Sequence, residues 1–243
     1  MGTKVLLVGI NHYSAAPLSG CINDIMDVRD ILNSVYRVPA ANLHLLQDSQ
    51  ATRANILTEL HWLATPDADG KPAVRLFHYS GHGSQVGDQN HDEPDGSDEC
   101  LVPFDYVTSG MLVDDDLGAI YRTFAPDTHL LLLMDCCHSG SIQRAEVRTR
   151  SLPISKREQK KIAVAKENYK QQSKAFVLAQ LRTFMTDGGS EDDLAKIANA
   201  AVVRFDKQHF CQEIVKGNCM LISACTDQQT AADARFGARY NGA

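Results

Sequence analysis

The sequence predicts an α/β fold with a mostly parallel central sheet and helices on both of its faces. Two observations predict this class. Short apolar runs alternate with amphipathic stretches up to Met134, which is the pattern of strands and crossover helices in a parallel sheet. The 243 residues are 44% hydrophobic and 22% charged, so the chain is globular and long enough to bury a large core.

The predicted strands are short apolar runs, as expected for strands that are buried on both faces of a sheet. They occupy residues 4–10, 43–46, 74–79 and 129–134, and a further strand is predicted at 219–225. The third and fourth strands end in unusual polar groups. A ligand or active site is therefore expected at the carboxyl edge of the sheet.

The predicted helices combine a capping side chain with apolar residues at helical spacing. The first helix has Asn23 or Asp24 as its N-cap, and the second has Thr52. A short third helix begins with the acidic residues 114–116, which suit the positive end of a helix. The three apolar faces carry Ile25, Val28, Leu32 and Val35; Ile56, Leu57, Leu60 and Leu63; and Ile120 and Phe124.

Charge is distributed unevenly along a chain whose net charge is −6. Residues 76–121 contain acidic side chains and no Lys or Arg, whereas residues 144–174 contain ten basic residues. An acidic half favours a cationic ligand or a metal, and a basic, weakly periodic segment favours a surface linker or an exposed helix. The low aromatic content and a pI of about 5.8 argue against a nucleic-acid partner.

No membrane attachment is expected. The longest apolar runs, residues 5–8 and 130–134, are too short to span a bilayer, and no secretory leader precedes the first strand. We therefore expect a cytoplasmic protein. Its seven irregularly spaced cysteines are then expected to be reduced thiols.

Two polar motifs at the ends of predicted strands could carry chemistry. The third strand runs into His78-Tyr79-Ser80-Gly81-His82-Gly83, and the fourth runs into Asp135-Cys136-Cys137-His138-Ser139-Gly140. An imidazole within hydrogen-bond reach of a thiol generates the nucleophilic thiolate, and backbone N–H groups of Gly83 and the cysteine could stabilise an oxyanion. Taken singly, each residue also has an ordinary interpretation: Cys137 as a small buried side chain, and His82 as a hydrogen-bonded one.

Together these motifs resemble those of the metacaspases, a branch of the caspase-like cysteine peptidases. Further matching segments are residues 20–24, 98–105, 113–116 and 222–231. The resemblance implies a caspase-like three-layer fold for residues 1–243 as a single domain. Residues 1–143 correspond to the large subunit, 144–175 to the basic linker and 176–243 to the small subunit, which is expected to be truncated at its C-terminus. The resemblance also implies a monomer that acts on peptide or protein substrates.

The resemblance assigns roles to individual residues. His82 corresponds to the general base and Cys137 to the nucleophile, while Cys136 is expected to pack in the core, although it is the obvious rival. The primary specificity pocket corresponds to Cys21, Asp24, Ser80 and Asp135. Two carboxylates in a low-dielectric pocket favour an Arg or Lys side chain and repel an acidic one. The structural alternative is that Asp24 only caps a helix and Asp135 only orients a strand end.

No cofactor is required for this chemistry, but calcium is a possible activator. Asp98, Asp114 and Asp115 match three carboxylates of the calcium site found in many metacaspases, and oxygen ligands of this kind suit calcium. The fourth ligand position is occupied by Arg144, which would replace a ligand by a cation. The alternative is that this acidic run is a solvated loop.

A peptidase that cuts after basic residues would find substrates in its own linker, so self-cleavage is predicted there. The candidates are Arg144, Arg148, Arg150, Lys156, Arg157, Lys160 and Lys161. The alternative for this segment is a solvated helix.

The alternative function for the whole chain is a catalytically inactive caspase-like scaffold that acts through protein partners. A zinc module is disfavoured because adjacent cysteines cannot easily share one tetrahedral ion with the nearby histidines.

Overall fold

The computed structural model describes residues 2–67, 73–88, 96–136, 148–168, 171, 218–223, 232–236 and 239–242. The helices are α1 (Cys21–Ser34), α2 (Arg53–Ala64), α3 (Tyr106–Ser109) and α4 (Asp114–Tyr121). The strands are β1 (Gly2–Gly9), β2 (Leu43–Gln47), β3 (Ala73–Ser80), β4 (Gly83–Gly87), β5 (Ser97–Leu101), β6 (Leu112–Val113), β7 (His129–Asp135), β8 (Arg148–Thr149), β9 (Asn218–Ser223), β10 (Ala232–Phe236) and β11 (Arg239–Gly242). Residues 156–168 are also helical.

The main sheet has five strands in the order β2-β1-β3-β7-β9, and each neighbouring pair is parallel. The five predicted strands are therefore confirmed, each to within two residues at either end. The chain leaves β1 for one edge of the sheet and then returns to β3 on the other side of β1. This reversal creates a topological switch point between β1 and β3, where α/β sheets bind ligands.

Both faces of the central strands β1 and β3 are buried, as predicted. Met220, Leu221 and Ile222 of the edge strand β9 are exposed, so the prediction that this strand is buried is wrong. Val5 and Leu7 point to the face on which α1 packs through Ile25 and Leu32. The alternate residues of β1 point to the opposite face and join the core cluster that includes side chains of α2 and α4. The α/β class with helices on both sides is confirmed.

The first helix begins earlier than predicted. Gly20 is its N-cap and Asp24 lies inside the first turn, so the prediction of an Asn23 or Asp24 cap is wrong. The reason is close packing, because a Cβ on Gly9 would lie 2.8 Å from the carbonyl oxygen of Cys21. The first turn of α1 thus lies directly against the end of β1.

The other helix predictions are largely confirmed. The hydroxyl of Thr52 accepts a hydrogen bond from the backbone N–H of Asn55 and caps α2. Helix α4 has its three acidic residues in the first turn, with Val113 as the N-cap, and it ends at Tyr121. Phe124 is buried just beyond that end.

The chain divides into two compact units, and the site lies in the first. The first unit contains Met1–Gln85, Glu99–Pro153 and Phe210–Ala243, and the second contains Val86–Asp98 and Ile154–His209. In the second unit, the backbone N–H of Gly87 donates to a carboxylate oxygen of Glu158 at 3.3 Å. The organisation of residues 1–243 as a single domain stays a prediction.

The basic segment departs most from its prediction as a surface linker. Arg148–Thr149 forms β8, Arg150 has no exposed surface, and Ser151 forms a parallel bridge with Gly83. The surface interpretation is therefore wrong for residues 150–152. Of the self-cleavage candidates, those on helical residues 156–168 are exposed, namely Lys156, Arg157, Lys160 and Lys161. Arg144 lies outside the described residues.

In the described part of the chain, none of the helices has the length and apolarity needed to cross a bilayer. The four cysteines among these residues, Cys21, Cys100, Cys136 and Cys219, hold reduced thiols, as predicted.

Candidate active site

Three of the four predicted pocket residues meet at the switch point. Ser80 at the end of β3 is paired in register with Asp135 at the end of β7. The hydroxyl of Ser80 donates to Oδ2 of Asp24, in the first turn of α1, at 3.0 Å. The fourth residue, Cys21, is buried one helical turn before Asp24. The local cause is the close approach of α1 to β1, which carries Asp24 to the edge of the sheet.

The pocket is occupied by the side chain of Arg150. Its Nη1 donates to Oγ of Ser80 at 2.6 Å and to Oδ2 of Asp135 at 2.5 Å. Its Nη2 donates to Oδ2 of Asp24 at 2.7 Å. A planar guanidinium presents several donors at once, so it can engage a hydroxyl and two carboxylates that a single ammonium could not match as well.

The charges in the pocket influence one another strongly. Burial raises the pKa of Asp135 to about 6, an effect that the Arg150 guanidinium opposes and the Asp24 carboxylate increases. Burial acts to lower the pKa of Arg150, but the charges of Cys21, Asp135 and Asp24 outweigh it and raise that pKa. Arg150 is therefore a permanent cation in this site.

The backbone of His82 is held by two buried tyrosines. Its N–H donates to the hydroxyl oxygen of Tyr13 at 3.0 Å, and its carbonyl accepts from the hydroxyl of Tyr79 at 2.8 Å. The rings of Tyr13 and His82 are 4.5 Å apart. Gly81 is required here, because a Cβ at that position would lie 2.6 Å from the Tyr13 hydroxyl oxygen. These contacts fix the backbone position of His82 and the place of its ring.

The imidazole of His82 is oriented by a backbone carbonyl. Its Nε2 lies 2.6 Å from the carbonyl oxygen of Ala16. Because a carbonyl only accepts, this contact places a proton on Nε2 and leaves the lone pair of the neutral ring on Nδ1. Ala16 has φ of 54°, in the left-handed region that costs a non-glycine residue of order 1–3 kcal/mol. That strain accompanies a carbonyl aimed at the candidate base.

The predicted oxyanion donor contacts the same residue that fills the pocket. The N–H of Gly83 donates to the carbonyl oxygen of Arg150 at 3.0 Å, and the N–H of Leu152 donates to the carbonyl of Gly83 at 2.9 Å. Cys137, the predicted nucleophile and second oxyanion donor, lies outside the described residues. Cys136 is fully buried in the core, as expected.

The predicted calcium ligands do not form a metal site in the described part of the chain. Asp98 and Asp114 are buried, and Oδ1 of Asp114 accepts a hydrogen bond from the N–H of Asp115 at 3.0 Å. Among the described residues, no group of three or more His, Cys, Asp or Glu side chains is placed to hold a metal ion. Calcium dependence stays a prediction.

Sequence reasoning missed several residues of this site. Tyr79 stands in the motif at the carboxyl end of β3, so the sequence pointed to it, whereas nothing in the sequence pointed to the carbonyl of Ala16 or the hydroxyl of Tyr13. In the sequence, Arg150 is only one basic residue among several of the linker. The sequence around Arg150 gives no indication that its side chain is buried against two acids, one of which is 126 residues away.

The parallel sheet with helices on both faces, and the histidine site at its carboxyl edge, place the chain in the class of caspase-like α/β proteins. The family model for the metacaspase, peptidase C14 domain, matches residues 3–145, and the chain belongs to this family. The matched span includes His82, Asp135 and Cys137, and it ends before Arg150.

Individual relatives agree with this assignment. The chain is 43% identical over 147 residues to metacaspase-1 of Eremothecium gossypii. The aligned region covers 57% of this chain and 32% of that protein. Metacaspase-1A of Aspergillus oryzae is 42% identical over 147 residues, covering 57% and 34% respectively. The chain thus spans about a third of the length of these curated relatives. The chain is also similar to a crystal structure of a Geobacter sulfurreducens protein, with 28% sequence identity and a TM-score of 0.63. The superposed region covers 100% of this chain and 78% of the Geobacter chain.

Proposed function

We propose that this chain is a cysteine endopeptidase that cleaves peptide bonds after Arg or Lys. The observation that carries the proposal is the pocket of Asp24, Ser80 and Asp135, which holds an arginine guanidinium on three polar groups. A peptide substrate would place its own basic side chain there. An acidic side chain would meet two carboxylates and be repelled.

The preferred substrate side chain is arginine. The guanidinium fork engages Asp24, Ser80 and Asp135 together, whereas the ammonium of lysine is a compact point charge that needs a different hydrogen-bond geometry. Lysine would be accepted with a lower kcat/KM. This order follows from the spacing of the three acceptors rather than from their charge alone.

The proposed reaction uses Cys137 as nucleophile and His82 as base. Nδ1 of His82 takes the thiol proton, and the sulfur attacks the carbonyl carbon while the N–H groups of Gly83 and Cys137 stabilise the oxyanion. The carbon–nitrogen bond then breaks, and His82 returns the proton to the leaving amine. Water hydrolyses the resulting thioester. The carbonyl of Ala16 would stabilise the imidazolium that forms during each step.

Self-processing within the basic segment is part of the same proposal. A pocket selective for basic residues would accept any Arg or Lys of residues 144–161 that reaches it in an extended conformation. Arg150 already lies in this pocket.

The test is hydrolysis of short peptides ending in Arg, Lys, Gln or Asp at the cleaved position, with and without added calcium. Turnover is expected after Arg and, more slowly, after Lys, and not after Asp. His82→Ala and Cys137→Ala should each lower kcat by at least about 10²-fold, whereas Cys136→Ala is the matched control that keeps the thiol at 137. Absence of turnover after every residue would favour the inactive scaffold. Loss of turnover in Cys136→Ala but not in Cys137→Ala would show that Cys136 is the nucleophile and that the assignment of Cys137 is wrong.

A further inference from the structure

We infer that the peptide bond between Arg150 and Ser151 is the bond that the chain cuts in itself, in an intramolecular reaction at its own site. This inference rests on the proposed function and deepens it by naming the substrate bond. It is carried by two independent contacts of Arg150, one made by its side chain and one by its backbone.

A scissile residue must satisfy two geometric conditions at once. Its side chain must fill the specificity pocket, and its carbonyl oxygen must reach an oxyanion donor. The Arg150 side chain is fully buried on Asp24, Ser80 and Asp135. The Arg150 carbonyl oxygen accepts the N–H of Gly83 at 3.0 Å. The same residue therefore meets both conditions.

The chain beyond the bond is also held as a bound peptide would be. The N–H of Leu152 donates to the carbonyl of Gly83 at 2.9 Å, and the hydroxyl of Ser84 donates to the carbonyl of Leu152 at 3.2 Å. Leu152 is buried and joins the core cluster. Backbone pairing with an extended segment is a common mode of peptide recognition. The residue on the leaving side of the bond thus lies between two fixed neighbours.

The segment before the bond is fixed as well. Strand β8 pairs antiparallel with β10, with Arg148 opposite Asp233 and Thr149 opposite Ala232. Arg150 consequently enters the pocket from an anchored strand. Because the segment is anchored on both sides and belongs to the same polypeptide as the pocket, the reaction needs no encounter between two molecules.

The other described candidates do not meet these conditions. Lys156, Arg157, Lys160 and Lys161 belong to the helical residues 156–168 and are exposed. A peptide bond inside a helix has its carbonyl engaged in the helix and is not extended, so it would have to unwind before it could pair with Gly83. Arg148 is committed to the ladder with β10.

The reaction balances with water as the co-reactant. The sulfur of Cys137 bonds to the carbonyl carbon of Arg150, the carbon–nitrogen bond to Ser151 breaks, and the nitrogen of Ser151 leaves as an amine with the thiol proton. Water then hydrolyses the thioester and restores the thiol. The products are a new C-terminal carboxylate on Arg150 and a new N-terminus on Ser151.

The experiment follows intact mass and new N-termini of the purified full chain over time at several protein concentrations. The wild type should give a new N-terminus at Ser151 with a rate independent of concentration, and Cys137→Ala should stay intact. Arg150→Gln should lower cleavage at this bond by at least about 10²-fold. Arg157→Gln, an exposed basic residue on the helix, is the matched control and should be processed like the wild type.

Folding of the variants is checked separately. Arg150→Lys keeps the charge in the pocket and should be cut at the same bond more slowly, and thermal unfolding of each variant shows whether it is folded. Fragments that arise only at other basic residues, fragments at Ser151 that form in proportion to concentration, or unchanged cleavage in Arg150→Gln would each overturn the inference.

A small arginyl peptide separates this inference from the proposed function. If the folded Arg150→Gln variant hydrolyses the peptide while the wild type is never cut at Arg150, the inference fails and the proposed function stands. If neither the wild type nor the folded variant hydrolyses the peptide and neither chain is cut, the proposed function fails.

Discussion

At the scale of single residues, the site is organised by one buried cation and the groups that surround it. Arg150 contacts Asp24, Ser80 and Asp135, and none of its side chain is exposed. Removing one partner of a buried ion pair leaves an uncompensated charge and costs of order 3–5 kcal/mol. A pocket whose carboxylates lack a cation is therefore unfavourable. Binding of a substrate arginine is favoured once Arg150 leaves.

The buried carboxyl of Asp135 predicts a pH dependence of substrate binding. Burial raises its pKa to about 6 although the Arg150 guanidinium opposes the rise, and departure of that cation would raise the pKa further. The carboxyl therefore loses its charge at or above a pH of about 6, rather than near its ordinary value of 3.8. Neutral Asp135 attracts a substrate guanidinium less. We expect the KM for an arginyl peptide to rise as the pH falls below about 6. The pH dependence of kcat should instead follow the ionisation of Cys137 and His82.

The control for this prediction is Asp135→Asn. This variant should have a high KM at pH 7 and little further change in KM down to pH 5. The measurement is a set of steady-state kinetics at constant ionic strength, with thermal unfolding at each pH to verify the fold. A KM that rises equally in wild type and Asp135→Asn would assign the pH dependence to another group.

At the scale of secondary-structure elements, the sequence predicts best where one element is decided by its own apolar pattern. The central strands β1 and β3 are buried on both faces, so their apolar runs are visible in the sequence. The start of α1 is decided instead by the approach of Cys21 to Gly9. The segment 148–152 resembles a surface linker because it is basic, and only its distant acidic partners bury Arg150.

The N-cap of α2 gives a stability prediction at this scale. Replacing Thr52 by Ala removes the hydroxyl that accepts the N–H of Asn55 and should lower the free energy of unfolding by about 1 kcal/mol. Thr58→Ala is the matched control, because its hydroxyl donates only to the carbonyl of Ala54 within the exposed face of the same helix. That change should be neutral or stabilising, since alanine is the better helix former.

Urea denaturation of both variants in a Cys137→Ala background avoids fragments and provides the measurement. Equal losses in Thr52→Ala and Thr58→Ala would show that the cap contributes nothing specific.

At the scale of the whole first unit, strand order determines where the site is. The switch between β1 and β3 predicts a ligand site at their carboxyl ends, and Asp24, Ser80 and Asp135 meet there. The sequence therefore predicts both the edge of the sheet and three of its polar residues. It does not predict the occupant, because the contact between Arg150 and Asp24 depends on how the complete unit folds.

An internal occupant should compete with added ligands. In the uncut Cys137→Ala chain, Arg150 occupies the pocket at a high effective concentration, so an acetylated tripeptide amide ending in arginine should bind weakly. The double variant Cys137→Ala/Arg150→Gln should bind the same peptide more tightly, by about 10²-fold or more. Stabilisation against heat as a function of peptide concentration measures both affinities. Equal affinities would contradict internal competition.

The burial of Arg150 also constrains how the selectivity of this protein could change over time. The pocket and the side chain that fills it are encoded in one polypeptide. A substitution that reversed the charge at position 24 or 135 would place like charges together and penalise folding before it altered substrate choice. A shift toward other substrates would therefore need a compensating substitution at position 150.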